Sequence, residues 1–502
     1  MKLRGATLES IDSKLLLVWC LLFCSLICLT PFSMGSDITQ HGAQVAVIND
    51  LLFDRATILT EYFELDLKTP YLTAYFIATL LSLILTVDSS FKLMTLVSIL
   101  LSVFYLKKIS EDLSATQGLT ALFLPIQFGF SYHWGHISFT FCLWMAFAVI
   151  HYVLNAISLG DTKANRGKVL VLLIGIGFGH PIVLAITCFS LLSIVFYNKN
   201  NLKLMGALVE SIPFVAVGIV VVAWLFMATG NTPDSTLGIQ WLYTEWDITN
   251  AIGGFLGLSV YKFYWFFGFF VILMPFLLGY RFSTKRHLFG FILVTVMVCL
   301  TPSVISGALD VRQRLYLFIP VAFLLSIKPV EKSKATPFAV SLLLALPFTV
   351  LLLDTLKVSE KQKAFLSLIS EIPDGQLVLS RMVNDNIWAN YDVRGKITID
   401  EYNWFAVYQM YSRGVVDYNF ASLMAPPVSY KAGMSNYIQG ESDNPYMVFL
   451  HHGYELDHYN YIIDLDYVNV NPAQFSSNFE LLNSSPPFHL WRRLEEGSDG
   501  LR

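Results

Sequence analysis

The chain of 502 residues is 55% hydrophobic and only 14% charged, with a formal net charge of −4 and a mean hydropathy of +0.57. Soluble domains carry about 25% charged residues, so a soluble cytosolic enzyme is excluded, as are a collagen, a coiled coil, a disulfide scaffold and an intrinsically disordered chain. The charge is unevenly divided: from Val358 onward 10 Lys and Arg stand against 18 Asp and Glu, a net of −8, which leaves 23 against 19, a net of +4, before that point. Two domains are therefore expected, a multi-span membrane domain over 1–357 and a soluble acidic domain over 358–502. Neither has the dense basic stripe of a nucleic-acid binder.

A helix needs about 20 apolar residues to cross the hydrocarbon core. In chain order the apolar runs are 15–34, 70–87, 91–106, 117–130, 135–155, 169–197, 206–228, 263–280, 287–304, 315–327 and 337–357, which predicts about eleven spans and a mainly α, polytopic fold. The first run is too long for a signal peptide and no cleavage site follows it, so it reads as an anchor. The run 169–197 is interrupted by Gly179-His180-Pro181 and reads as two half-helices. All six cysteines fall inside apolar runs, where small apolar packing explains them better than redox or metal chemistry.

Lysine and arginine set the orientation. Lys2, Arg4 and Lys14 precede the first span, and Lys199/Lys203, Arg281/Lys285/Arg286 and Lys328/Lys332/Lys334 follow later ones. An odd number of spans puts all of these on the cytoplasmic side, with the acidic tail extracytoplasmic. Lys163, Arg166 and Lys168 dissent, so either that loop breaks the rule or one helix within 117–155 is re-entrant. The tail reads as a small α/β domain: strands at Gln376–Ser380, Tyr446–Leu450, Tyr461–Leu465 and His489–Arg493, a helix near Tyr402–Tyr411, and loops at Pro426-Pro427 and Pro486-Pro487.

Ionisable groups among or beside apolar runs are expensive, which makes each a candidate for function. Asp37 and His41 follow the first span with i, i+4 spacing, on one face if a helix starts there. The pair could take a proton from a hydroxyl or hold a metal ion; a helix cap at the interface is the plainer alternative. In Phe130-Ser-Tyr-His133-Trp-Gly-His136 two histidines stand at a span boundary beside aromatic residues. They could bind a metal or a phosphate, or simply sit in an aromatic belt. His180 lies in mid-run, where a broken helix favours a lined cavity, although a satisfied core histidine serves as well. Asp310-Val-Arg312-Gln-Arg314 offers guanidinium forks suited to a phosphate, or a helix-turn ion pair. Trp241 and Trp246, with Glu245 and Asp247, could stack on a sugar ring or line the interface. Glu210 near a span end is a further polar group that could snorkel.

A short inner N-terminus, one span and an outer loop opening on an acid resemble the GT-C-type membrane glycosyltransferases. Gly35-Ser-Asp37-x3-His41 is similar to the G-x-D-x3-H loop of a bacterial branch of that architecture. Tyr132-His-Trp-Gly-His-Ile-Ser138 resembles its y-x-W-G motif, and Thr69-Pro70-Tyr71 and the arginine-bearing turn also fit. The resemblance spans roughly 1–357 and rests on these few positions. It implies a polyprenyl-phosphate-linked sugar as donor, a glycan, lipid or protein as acceptor, and a place in the bacterial inner membrane serving cell-envelope polysaccharide synthesis. It would make Asp37 the catalytic or metal-binding carboxylate, with His41 or His136 in support and a divalent metal ion as the one cofactor to consider. Arg312 or Arg314 would hold the lipid phosphate. The sequence departs from many members in lacking a second acid beside Asp37. Two other classes stay open: a transporter or flippase using His180 and Glu210, and a non-catalytic assembly or sensor protein whose tail is the working part.

Overall fold

The computed structural model describes residues 2–35, 37–67, 71–116, 118–158, 165–197, 264–302, 311–330, 335–382, 404–416, 428–431, 459–465 and 478–494. Trp241, Trp246, Glu210, Asp310, Lys163 and Thr69-Pro70 lie outside the described residues. So do the expected span 206–228, the strand Tyr446–Leu450 and the Pro426-Pro427 loop. The chain is mainly helical with some sheet. It divides into two compact units, one of Met1–Leu29, Pro70–Ala74 and Lys92–Thr355, the other of Thr30–Thr69, Tyr75–Phe91 and Leu356–Arg502. The second unit thus contains more than the acidic tail.

Among the described residues three helices are long and apolar enough to cross a membrane: Val87–Asp112, Ile137–Ser158 and Thr336–Ile369. Shorter apolar helices occur at Leu72–Leu81, Pro181–Leu191 and His287–Cys299. Two of the expected spans take another form. The run 70–87 holds the ten-residue helix Leu72–Leu81, which at ~1.5 Å per residue reaches about half of a ~30 Å hydrocarbon core. The run 117–130 becomes a 3₁₀ turn, Thr120–Leu122, and two five-residue helices, Phe123–Gln127 and Phe130–Trp134. Glycine explains the fragmentation: Gly129 is extended and Gly135 adopts φ 76°, a left-handed conformation that costs other residues more.

Contacts within the first unit show where this broken segment starts and returns. Thr120 donates to Asp12 at 2.8 Å, and Lys107 donates to the Ser13 hydroxyl at 3.0 Å. The helix Ile137–Ser158 comes back to the same end, where His151 Nδ1 meets Asp112 at 2.7 Å. There Tyr152 touches the Tyr105 hydroxyl at 3.3 Å, and Lys168 Nζ lies 5.0 Å above the Tyr152 ring. Residues 120–158 therefore leave one end of the unit and come back to it, the return being made by the helix Ile137–Ser158. The short antiparallel ribbon Tyr280–Phe282 with Ile327–Pro329 sits there too, since Thr116 N–H donates to the Ile327 carbonyl at 2.9 Å. Lys107, Lys168, Arg281 and Lys328 thus share the end that carries the N-terminal residues Asp12 and Ser13.

The run 169–197 is two helices, Arg166–Gly179 and Pro181–Tyr197. Proline disfavours a helical residue before it and fits the first position of a new helix. His180 is accordingly extended, with φ −164° and ψ 109°. The run 315–327 is likewise split, into Val311–Leu315 and Phe318–Ser326.

The second unit carries a five-stranded mixed sheet in the order Val415–Val416, Leu377–Met382, Tyr461–Leu465, Phe488–Arg493, Phe479–Ser485. The first two pairings are parallel and the last two antiparallel. Leu379, Tyr459, Ile462, Phe479 and Trp491 form a buried apolar cluster. Pro486 and Pro487 make the two-residue turn between the last two strands, opposite the Ser485/Phe488 pair. The expected helix appears as Ala406–Ser412. The strand Phe479–Ser485 was not expected, because Leu481 and Leu482 interrupt its alternation and a register shift at Leu481/Asn483 absorbs the irregularity.

Within this unit the helix Ile38–Leu52 packs on Ala406–Ser412. A Cβ on Gly42 would lie 2.5 Å from Met410 Sδ, so only glycine permits the approach without displacing the thioether. Asp50, fully buried, accepts from Thr57 Oγ1 at 2.9 Å and pairs with Arg55 at 3.4 Å and Arg413 at 3.5 Å. Asp88 accepts from the Ser33 backbone N–H at 2.7 Å and its hydroxyl at 2.9 Å, which holds the stretch leading to Asp37.

Candidate functional site

The first unit brings together side chains from three helix interruptions. Arg314 NH1 lies 3.5 Å from His180 Nε2, joining two clusters that are 134 positions apart in the chain. The fully buried His180 ring is packed between Tyr71 and Phe139, with centroids 5.5 and 5.2 Å away. A guanidinium only donates, so the imidazole nitrogen facing it acts as acceptor and the proton is assigned to Nδ1. Arg314 also lines a narrow cavity together with Gln313, Gln127, Ser131, Tyr132 and Thr95. The broken segments 120–134 and 311–326 supply most of its polar wall. Non-helical backbone at membrane depth is tolerated where it is enclosed by protein or lines a cavity.

The polar atoms here share a chemical bias. Arg314 Nε, His180 Nδ1, Gln127 Nε2, Ser131 Oγ and Gln313 Oε1 are buried with no hydrogen-bond partner. Four of the five can donate, and only Gln313 Oε1 is restricted to accepting. Such a set suits an oxyanion better than a cation. The nearby expected residues Arg312, His133 and His136 are buried, and His136 is stacked on Trp134 at 6.3 Å. Among the described residues that line the cavity, none of these three appears.

Asp37 and His41 belong to the second unit. Asp37 is the N-cap residue of Ile38–Leu52, but its side chain makes no capping bond; instead its carbonyl accepts the His41 backbone N–H at 3.0 Å. The helix starts where the i, i+4 spacing required, and His41 Nδ1 meets the Tyr75 hydroxyl at 2.6 Å. Among the described residues no cluster of three or more His, Cys, Asp or Glu side chains could hold a metal ion. Two candidate ligands, one already engaged by Tyr75, do not make a zinc site, which takes three or four protein ligands.

Sequence reasoning singled out His180 and Arg314 separately and passed over Gln127, Ser131 and Gln313. Their signal was present: each is a polar residue inside or beside an apolar run. Compared with family models, curated proteins and solved structures, the chain matches none.

Proposed function

We propose that the chain is a GT-C-type membrane glycosyltransferase that moves a sugar from a polyprenyl-phosphate donor to an extracytoplasmic glycan, lipid or protein acceptor. The observation that carries this reading is the donor-rich set around Arg314, buried at helix breaks and suited to a phosphate oxyanion. In the reaction the bond between the sugar's anomeric carbon and the phosphate oxygen breaks, and the acceptor oxygen bonds to that carbon with inversion. Polyprenyl phosphate leaves with the electron pair. Arg314, with His180 and Ser131, holds the charge that develops on it, the kind of preorganised stabilisation that contributes most to such rates. The acceptor proton goes to Asp37, an assignment that rests on the loop motif after the first span, with His41 beside it.

In this proposal the protein is a multi-pass protein of the bacterial inner membrane, with the basic end of the first unit cytoplasmic and the acidic tail extracytoplasmic. Lys168 shares the end of the first unit that carries Asp12 and Ser13, so it stands with the cytoplasmic residues in this reading.

Purified full-length protein given labelled polyprenyl-phosphate sugars should release polyprenyl phosphate, and Asp37→Asn should abolish that release. An Asp37→Asn protein indistinguishable from the parent would remove the catalytic assignment. Donor-independent solute uptake into vesicles would instead establish transport. Neither release nor uptake would leave the assembly or sensor reading.

A further inference from the structure

The face of Ile38–Leu52 that carries Asp37 and His41 also carries two glutamines. Asp37, Gln40, His41 and Gln44 stand at i, i+3, i+4 and i+7, which aligns them in one stripe. Gln40 and Gln44 are 0% and 1% exposed, and none of their four amide atoms has a hydrogen-bond partner. The roughly opposite face of the helix does the packing. There Gly42 admits Met410, and the Ala46 carbonyl accepts from Arg413 NH1 at 2.9 Å. The glutamine stripe is therefore not needed for that helix pairing. It is also accessible at one end, because Asp37 and His41 are only half-buried.

Buried amides without partners are rare in native proteins, and each calls for an explanation. A stripe of two carboxamides, a carboxylate, an imidazole and the Tyr75 hydroxyl has no permanent cation. The carboxylate disfavours an anionic ligand. A carboxamide offers a donor and an acceptor side by side, the complement of two neighbouring hydroxyls. We infer that Gln40 and Gln44 form a binding site for an uncharged, hydroxyl-rich ring, a neutral saccharide, whose hydroxyl is presented to Asp37 and His41. The inference rests on the transferase reading only for the saccharide's role as acceptor; the binding itself needs no donor.

The test is equilibrium binding to the full-length protein in detergent, without any lipid donor. A panel of neutral hexoses and N-acetylhexosamines is compared with glucuronate and inorganic phosphate. At least one neutral sugar should raise the melting temperature with concentration, as any ligand of the native state does, while the two anions do not compete with it. Gln40→Leu and Gln44→Leu should each weaken binding by about tenfold or more, a loss typical of hydroxyl partners removed from a polar site. Their unliganded melting temperatures should stay level or rise, because a buried amide without partners is replaced by an apolar group of similar size. Gln409→Leu, which removes a buried amide from the neighbouring helix, should leave binding unchanged. The inference is overturned if no neutral sugar binds or if both variants bind like the parent. It also fails if Gln→Leu and Gln→Met alike lower the unliganded melting temperature by about 5 °C or more, the mark of amides that hold the fold. Phosphate release from the lipid donor is read separately, so failure here and failure of the transferase reading are distinct results.

Discussion

Two sets of buried polar groups, one from each unit, are treated in opposite ways. In the second, Asp50 is enclosed by Thr57, Arg55 and Arg413, and Asp88 by the backbone and hydroxyl of Ser33. In the first, Arg314, His180, Gln127 and Ser131 keep unpaired atoms where helices break. Paired carboxylates of the first kind hold chain segments together, since Asp50 ties the end of its helix to residues 55, 57 and 413. Unpaired donors of the second kind weaken the fold and persist where a ligand can satisfy them. The contrast separates groups that build the protein from groups that use it. The glutamine stripe beside Asp37, like Gln409 on the neighbouring helix, shows unpaired amides in the second unit as well.

That comparison makes predictions of decreasing size. Arg314→Gln should slow release of polyprenyl phosphate by about 100-fold to 1,000-fold, the usual loss when a charge-stabilising donor is removed. The melting temperature should hardly move, and Arg314→Lys should recover part of the rate. A large fall in melting temperature with unchanged turnover would place Arg314 among the building groups instead. Asp50→Asn should do the reverse, lowering stability by about 3 kcal/mol because it leaves Arg413 facing a neutral group in a buried site. A denaturant series on the full-length protein measures this, and a loss below about 1 kcal/mol would break the contrast.

Gly42→Ala should cost about 1–2 kcal/mol through overpacking against Met410. A Met410→Ala second substitution should return part of it, giving a non-additive double-mutant cycle. The smallest effect is expected at alkaline pH. Burial pushes the Tyr408 hydroxyl from its usual value near 10 up to about 12, where it donates to the Pro373 carbonyl at 2.5 Å and accepts from Gln376 N–H at 3.1 Å. The folded state thus binds this proton more tightly than the unfolded one. Its contribution is complete below about pH 10 and declines as the pH rises towards 12. Tyr408→Phe should flatten that decline in melts taken across this range, and an unchanged decline would show that another group causes it.

Local regularities in the chain were legible in advance. The strand Tyr461–Leu465 and the helix Ala406–Ser412 follow from short-range propensity, and the break at His180 from the proline behind it. The edge strand Phe479–Ser485 and the pairing of Phe63–Leu65 with Val428–Tyr430 were not legible, because each depends on a partner strand that local pattern does not reveal. Hydropathy also did not distinguish the short helix in 70–87 and the broken helices in 117–130 from long spanning helices. A run of apolar residues marks burial in grease or in protein alike, whereas helix length distinguishes them only once glycine and proline have acted.

Composition alone established a membrane-associated, mainly helical chain with an acidic tail, since a mean hydropathy of +0.57 with 14% charged residues permits little else. It also marked Asp37, His41, His180 and Arg314 as polar groups that are expensive where they stand. Tertiary structure decided which of these meet: His180 with Arg314 at 3.5 Å, and His41 with Tyr75 at 2.6 Å. It decided, too, that Gln127, Ser131, Gln40 and Gln44 belong with them. The reason is that hydropathy is a sum over neighbours in the chain, while a site is made by neighbours in space.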